Sequence, residues 1–173
     1  MNRIFTHLFK GEDVRKQAKR NNETLRGARA MNAQLSIGVL ERGTEDYDMF
    51  SKTPKKSALE MERELDRKAG GDFHYVRPLA HRGTFRVMDR GNDLQSPHDD
   101  FGIVDYTKEP KKTKTIIING LKHSHISERI KDARQNLADP LAIHRHAKAR
   151  GDLERIKASN MFRKGWSDDK EKS

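Results

Sequence analysis

Residues 73–110, FHYVRPLAHRGTFRVMDRGNDLQSPHDDFGIVDYTKEP, decide the fold prediction because the hydrophobic period changes within them. Apolar residues alternate with polar ones on both sides of 80–84, which predicts two short strands joined by a turn. Residues 91–110 carry closely spaced Gly, Asn, Ser, Pro and Asp and are interpreted as a loop. A loop of that length is too long for a compact domain, so this segment is expected to lie extended over a partner.

Helical periodicity occupies most of the chain on both sides of this stretch. Apolar residues recur three and four positions apart, and Ser57 with Glu60 makes a capping box at one helix start. Helices are predicted over 12–41, 57–71, 124–139 and 139–162, and a short strand over 113–119. The predicted fold class is therefore mostly α with a small β element (α+β). It is extended and non-compact, with about four helices plus two or three short strands.

The composition supplies little apolar surface for a core. Hydrophobic residues make up 33% of the 173 residues and charged residues 36%, whereas average domains are about 45–50% apolar and about 25% charged. Ordering each backbone residue costs about 1–2 kcal/mol. A fold that supports itself alone is therefore not expected, and we predict that other proteins of a large assembly hold the chain. Because cysteine is absent, disulfides, Cys-based zinc sites and thiol nucleophiles are excluded.

The net charge of +10 is unevenly distributed, because both ends are basic and the middle is nearly neutral. Such a pattern is typical of two arms that contact an acidic surface or nucleic acid. It predicts four parts: a basic N-terminal helical arm at 1–42, a short linker and helix at 43–72, a small β or extended segment at 73–120, and a basic C-terminal helical segment at 121–173.

Clustered basic residues on the predicted helices and beside the predicted strand are candidate contacts to nucleic acid or an acidic partner. They are Arg15, Lys16, Lys19, Arg20, Arg26, Arg29, Lys111, Lys112, Lys114, Arg145, Lys148, Arg155 and Lys157. The alternative interpretation is a solvated helix face. Apolar residues near both ends are candidates for docking into a neighbouring protein, with packing on the chain's own core as the alternative. They are Phe5, Leu8, Phe9, Phe162 and Trp166.

Catalytic templates are absent from the sequence. There is no nucleophile elbow, no phosphate-binding loop and no dinucleotide fingerprint. The histidine pairs at 123–125 and 144–146 lack metal-ligand spacing, so no metal site is predicted. Asp99 and Asp100 beside His98 support a metal-dependent nuclease as an alternative, although after Pro97 they are more typical of a turn. The prediction is that the chain is not an enzyme and has no catalytic residue, metal or cofactor.

Membrane and secretion signals are also missing. No stretch reaches the roughly 18 apolar residues of a membrane span, and the N-terminus lacks the apolar stretch of a secretory signal peptide. We therefore predict a structural, non-catalytic component of a large nucleoprotein assembly, found in a virion or in the cytoplasm. A bacteriophage virion protein that bridges subunits and contacts acidic surface or nucleic acid is favoured. The alternative is a freestanding nucleic-acid-binding or ribosome-associated protein.

Overall fold

The computed structural model describes the backbone of residues 3–90 and 100–170 and the side chains of residues 10–90 and 100–160. The helices are α1 (Arg3–Asn21), α2 (Gly27–Asn32), α3 (Pro54–Ala69), α4 (Ile126–Ala138) and α5 (Ile143–Lys170), with a 3₁₀ turn at Pro140–Ala142 before α5. The strands are β1 (Thr24–Arg26), β2 (Tyr47–Ser51), β3 (His74–Pro78), β4 (Phe85–Asp89), β5 (Phe101–Lys108), β6 (Thr115–Ile118) and β7 (Leu121–Ser124).

Within the described residues, the strands form a seven-stranded mixed sheet in the order β3-β4-β5-β2-β1-β7-β6. β2 pairs in parallel with β5 and antiparallel with β1, and β1 pairs in parallel with β7. Strands β3, β4 and β5 form an antiparallel meander at one side. The prediction of a mostly α, extended chain with a small β element is therefore wrong, because the sheet is the centre of the fold.

The hydrophobic core lies between one face of the sheet and helices α1 and α3. Val14 of α1 and Met61 of α3 are buried in one cluster with Met49, Val104 and Tyr106 of the sheet. Side chains alternate between the faces of a strand, so the residues between these core positions point to the other face. That other face can be polar, and a chain with little apolar surface can therefore still form a folded core.

Two segments were assigned wrongly from sequence, and both corrections have a local cause. The predicted helix over 12–41 ends at Asn21, because Asn22 adopts a left-handed conformation with φ of +53°. The apolar stripe continues beyond that point only because β1 and the short α2 follow. The predicted loop at 91–110 contains β5, which is central because its apolar residues are buried in the core. Residues 91–99 lie outside the described residues.

Features that depend on neighbouring residues were predicted correctly. The strands on either side of 80–84 form the antiparallel pair β3–β4. Helix α3 ends at Gly70, which adopts φ of +75°, although the helix starts at Pro54 and not at Ser57. The side chain of Asp139 accepts a hydrogen bond from the Leu141 backbone N–H, so it caps the turn before α5 as expected. Among the described residues, no helix combines the length and the apolar character that crossing a membrane requires.

Helices α4 and α5 are joined to the rest of the fold largely by polar contacts. Asp152 of α5 is completely buried and pairs with Arg129 of α4 and with Arg42 of the segment before β2. The Arg42 Nη1 and Asp152 Oδ2 atoms are 2.8 Å apart. At the start of α5, Arg145 approaches His81 of the β3–β4 turn to 3.1 Å. The two helices are thus held at separate points of the sheet layer.

Buried hydrogen bonds connect α1 with α3 and β5. Gln17 donates hydrogen bonds of 2.9 Å to the Tyr106 hydroxyl and to the Ser57 carbonyl. Glu23 is buried beside it, and neither of its carboxylate oxygens has a hydrogen bond of normal geometry with the described residues. Burial raises the pKa of the Glu23 carboxyl, and the nearby hydroxyls of Ser57 and Ser51 only partly oppose that rise. The fold therefore favours the neutral form of Glu23.

The raised pKa of Glu23 predicts that Glu23→Gln stabilises the protein at pH 8 and not at pH 4. In the wild type, the contribution of the neutral form is complete below the ordinary glutamate pKa and is lost as the pH rises through the raised pKa. An amide stays neutral throughout, so the variant should gain on the order of 1 kcal/mol at pH 8. Urea unfolding at the two pH values measures this. The exposed Glu154→Gln serves as the control, and an equal effect of both substitutions would contradict the interpretation.

Candidate active site

Three aspartates meet on the face of the sheet opposite the core. Asp48 alternates with the core residues Tyr47 and Met49 along β2, and Asp46 lies just before this strand. In the parallel pairing of β2 with β5, Asp48 lies directly opposite Asp105. Adjacent strands are about 4.8 Å apart. We call Asp46, Asp48 and Asp105 the carboxylate triad.

Gly27, at the turn from β1 into α2, lies directly against the triad. It adopts φ of +69°, and a Cβ atom at this position would lie 2.2 Å from Oδ2 of Asp48. A side chain here would both strain the backbone and displace the carboxylate. The close approach of backbone and carboxylate therefore requires glycine.

The members of the triad repel one another. Burial raises the pKa of the Asp48 carboxyl, and the negative charges of Asp46 and Asp105 add to that rise, whereas the positive charge of Arg26 opposes it. Asp46 has 36% of its side chain exposed and Asp105 has 11%. Like charges brought together at a partly buried site favour the binding of a cation.

Arg86 of β4 supplies one such cation. Its Nε lies 2.5 Å from Oδ1 of Asp105, and its Nη2 lies 2.6 Å from Oδ2 of the same carboxylate. The same Nη2 is 3.5 Å from Oδ2 of Asp46. The hydrogen bond to Asp105 is the main cause of the raised pKa of Arg86. Two of the three carboxylates are thus in contact with one guanidinium.

A cavity of about 190 Å³ lies between the β1–α2 turn and helix α4. Four basic residues line it: Arg26 of β1, Lys112 of the β5–β6 connection, and Arg129 and Lys131 of α4. The acidic residues Glu128 and Asp132 of α4 line it as well. The guanidinium of Arg26 lies 4.5 Å from the centre of the Phe50 ring, which also lines the cavity. Because Gly27 lines the cavity as well, its basic wall adjoins the triad.

The donor set of the triad suits a hard divalent cation, since Mg²⁺ and Mn²⁺ prefer carboxylate oxygens. A Cβ at Gly27 would clash with the Asp48 carboxylate, so it is the glycine that leaves room for this carboxylate at the turn. As the side chains of the described residues stand, however, no group of three acidic or histidine side chains is arranged around one ion. Arg86 engages both oxygens of Asp105 and approaches Asp46 only to 3.5 Å, so Asp46 and Asp48 are the candidate pair of ligands for such an ion.

The basic residues named from the sequence fall in several places. Arg26 and Lys112 line the cavity. Arg29 stacks 4.0 Å from the Tyr47 ring and donates hydrogen bonds to the carbonyls of 44–46, so it holds the chain that leads into β2. Arg155 donates to the carbonyl of Leu40. The side chains of Phe5, Leu8, Phe9, Phe162 and Trp166 lie outside the described residues.

The acidic pair singled out from sequence is not this site. Asp100 accepts a hydrogen bond of 2.6 Å from the Tyr75 hydroxyl, and His98 and Asp99 lie outside the described residues. Sequence analysis missed the triad, Gly27 and Arg86. The sequence offered one signal, an Asp-x-Asp at 46–48 at the start of an apolar strand. Earlier in the chain, Gly27 follows the short strand at 24–26.

The fold is similar to that of a solved enzyme. The crystal structure of the Megavirus polyadenylate synthase matches with a TM-score of 0.75 and 20% identity, over 91% of this chain and 32% of that chain. The chain thus spans about a third of the length of that synthase. Two Helicobacter pylori structures, JHP933 and a nucleotidyltransferase, match at a TM-score of 0.48 and 14% identity over 77% of this chain, covering 56% and 59% of those chains. These two are too distant to carry an argument.

No protein-family model matches the sequence, and no curated protein matches it. The prediction of a non-enzymatic structural protein of a bacteriophage virion is nevertheless wrong. That prediction assumed that the chain has too few apolar residues to fold alone. The chain instead has a sheet fold similar to that of part of the Megavirus polyadenylate synthase. The acidic triad on one face of the sheet was not among the residues predicted from sequence.

The contact at Gly27 predicts that Gly27→Ala is more damaging than Gly38→Ala. Both glycines have positive φ, of +69° and +92°, but a Cβ at Gly38 would meet nothing within 4 Å. Each alanine carries a backbone cost of about 1 kcal/mol, and only Gly27→Ala adds the clash with Asp48. Thermal and urea unfolding of the two variants compares them directly. Equal losses of stability would show that the Asp48 carboxylate does not lie against this turn.

Proposed function

We propose that the chain is a nucleotidyltransferase domain, which transfers a nucleoside monophosphate from a nucleoside triphosphate to an acceptor. The observation that carries the proposal is the pairing of Asp48 with Asp105 on parallel strands, with Asp46 two residues before Asp48 on the same face. The similarity of fold to the Megavirus polyadenylate synthase supports it. Carboxylates grouped in this way are typical of sites that transfer phosphoryl groups with metal ions.

In this reaction, an acceptor hydroxyl oxygen bonds to the α-phosphorus as the bond from that phosphorus to the oxygen bridging to the β-phosphate breaks. The hydroxyl proton passes to solvent or to a carboxylate, and pyrophosphate leaves. A magnesium ion held by Asp46 and Asp48 would polarise the phosphate and favour deprotonation of the hydroxyl. The chain's own contribution is to hold the reacting groups in line beside a site of fixed charge.

The basic cavity next to the triad is suited to the leaving group. Arg26 and Lys112 approach it from the sheet, and Arg129 approaches it from α4. Arg129 is held in place by two hydrogen bonds to the buried Asp152 carboxylate. Fixed guanidinium groups stabilise the negative charge that accumulates on departing phosphates. The cavity therefore offers a place for the β- and γ-phosphates.

The proposal predicts that Asp48→Asn lowers nucleotide transfer by about 100-fold or more, because it removes a negative charge that acts directly at the reacting centre. Transfer from each of the four α-³²P-labelled nucleoside triphosphates, with Mg²⁺ or Mn²⁺ and an RNA oligonucleotide as acceptor, measures the activity. Asp72→Asn is the matched control, since the Asp72 side chain is 81% exposed. Transfer that survives Asp48→Asn unchanged would contradict the proposed site.

The acceptor in this proposal is a nucleic-acid strand that lies along the basic end of the sheet. We define this basic end by the cations near the C-terminal ends of β2 and β5, at the start of α3 and in the β3–β4 turn. They are Lys52, Lys55, Lys56, Arg82, Lys108, Lys111 and Lys112. Leu59 and Phe85 line a depression of about 740 Å³ among four of these cations, Lys55, Lys56, Arg82 and Lys108. Lys108 also lines the adjoining depression, and on β5 it lies three residues after Asp105.

Such a surface has the chemistry that a flexible strand needs. Lysine and arginine side chains neutralise phosphates without reading sequence, and an exposed aromatic or aliphatic floor accepts a base. The basic end includes Lys111 and Lys112, two of the contacts proposed from sequence. The candidates on α1 and α5, among them Lys148 and Lys157, remain predictions for a second surface.

Two double charge reversals decide between these surfaces. Lys55→Glu with Lys111→Glu should weaken binding of a fluorescent single-stranded RNA by about tenfold at moderate salt and flatten its salt dependence. Lys148→Glu with Lys157→Glu makes the same change of charge on α5, and all four lysines are exposed. Fluorescence anisotropy measures both affinities. A larger loss in the α5 variant would place the acceptor there and contradict the assignment to the basic end.

A further inference from the structure

Arg86 reaches the triad along a path that the sheet provides. The pairing of β4 with β5 shifts in register between Val87 and Met88, one residue beyond Arg86. Across the strand, a Cβ at Gly102 would lie 3.1–3.3 Å from Cδ, Nε and Cζ of Arg86. A larger residue at Gly102 would crowd this side chain. The register shift and the absence of a side chain at Gly102 together leave room for the Arg86 side chain to lie across β5.

At the end of this path, the guanidinium engages both oxygens of Asp105. The two short contacts form the fork geometry that makes arginine–carboxylate pairs strong. Only 25% of the Arg86 side chain is exposed, so solvent competes weakly for the pair. A guanidinium also keeps its charge at every pH at which the protein is folded. Arg86 is therefore a permanent cation on Asp105.

A guanidinium and a divalent metal ion compete for the same carboxylate lone pairs, and their positive charges repel each other. Both oxygens of Asp105 already accept from Arg86, and one oxygen of Asp46 lies at the edge of its reach. Asp48 lies outside these contacts and against Gly27. This division is consistent with the lack, among the described residues, of three acidic or histidine side chains around one ion.

We propose that Arg86 is a resident counter-ion that removes Asp105 from the set of metal ligands. The protein then holds one divalent ion, through Asp46 and Asp48, and does not hold a second ion that needs Asp105. This inference rests on the proposed function, because it assumes that the triad is a metal site. It assigns Asp105 a different task from its two neighbours, namely to hold the Arg86 charge beside the reacting phosphate.

The number of bound Mn²⁺ ions tests the proposal without measuring activity. Electron paramagnetic resonance of free Mn²⁺, titrated into the full chain, counts the ions and gives their dissociation constants. We expect one ion in the wild type and a second ion, or about tenfold tighter binding, in Arg86→Gln. Arg86→Met retains the aliphatic stem over Gly102 and should show the same gain if the glutamine variant folds poorly. The gain should disappear when Asp105→Asn is added to either variant.

Arg77→Gln is the matched control, because it removes the same charge from a residue that lies opposite Arg86 in the β3–β4 pairing but is exposed to solvent. It should bind Mn²⁺ within about twofold of the wild type, since a solvated charge is well screened. Two ions in the wild type, or no gain in either Arg86 variant, would overturn the counter-ion role and leave the proposed function standing. Absence of Mn²⁺ binding in the wild type and in every variant would instead refute the proposed metal site itself.

Discussion

Mutual repulsion among Asp46, Asp48 and Asp105 is the constraint that the sheet has to accommodate. The parallel pairing of β2 with β5 forces Asp48 and Asp105 to face each other. Asp48 and Asp105 alternate along their strands with the core residues Tyr47, Met49, Val104 and Tyr106, so these carboxylates point to the face opposite those core side chains. Arg86 and Gly27 complete the arrangement, the first by neutralising a carboxylate and the second by leaving it room.

Local signals in the sequence predicted the features that local contacts determine. The turn near Gly83, the end of α3 at Gly70 and the cap at Asp139 each depend on residues a few positions apart, and they were predicted correctly. The central strand β5 was not, because Gly, Asp and Pro surround its apolar run. Asp105 also breaks the run where burial alone would favour an aliphatic residue.

The triad was beyond prediction from one sequence for a related reason. An Asp-x-Asp in a short strand is also what a solvated strand edge presents, and nothing local distinguishes the two. The distinction comes from the register of β2 with β5, which brings a distant aspartate opposite Asp48. A composition poor in apolar residues was therefore interpreted as dependence on partners, although the described residues form a core on the sheet and carry an acidic cluster beside it.

Through Asp152, helix α5 contributes to the cavity beside the triad, although Asp152 does not itself line that cavity. This buried carboxylate is the shared counter-ion of Arg42 and Arg129, and Arg129 lines the cavity beside the triad. Removing one partner of a buried ion pair leaves the other charge uncompensated. A truncation placed just before α5 would remove this shared counter-ion, so Arg129 in the basic wall of the cavity would lose the contact that positions it.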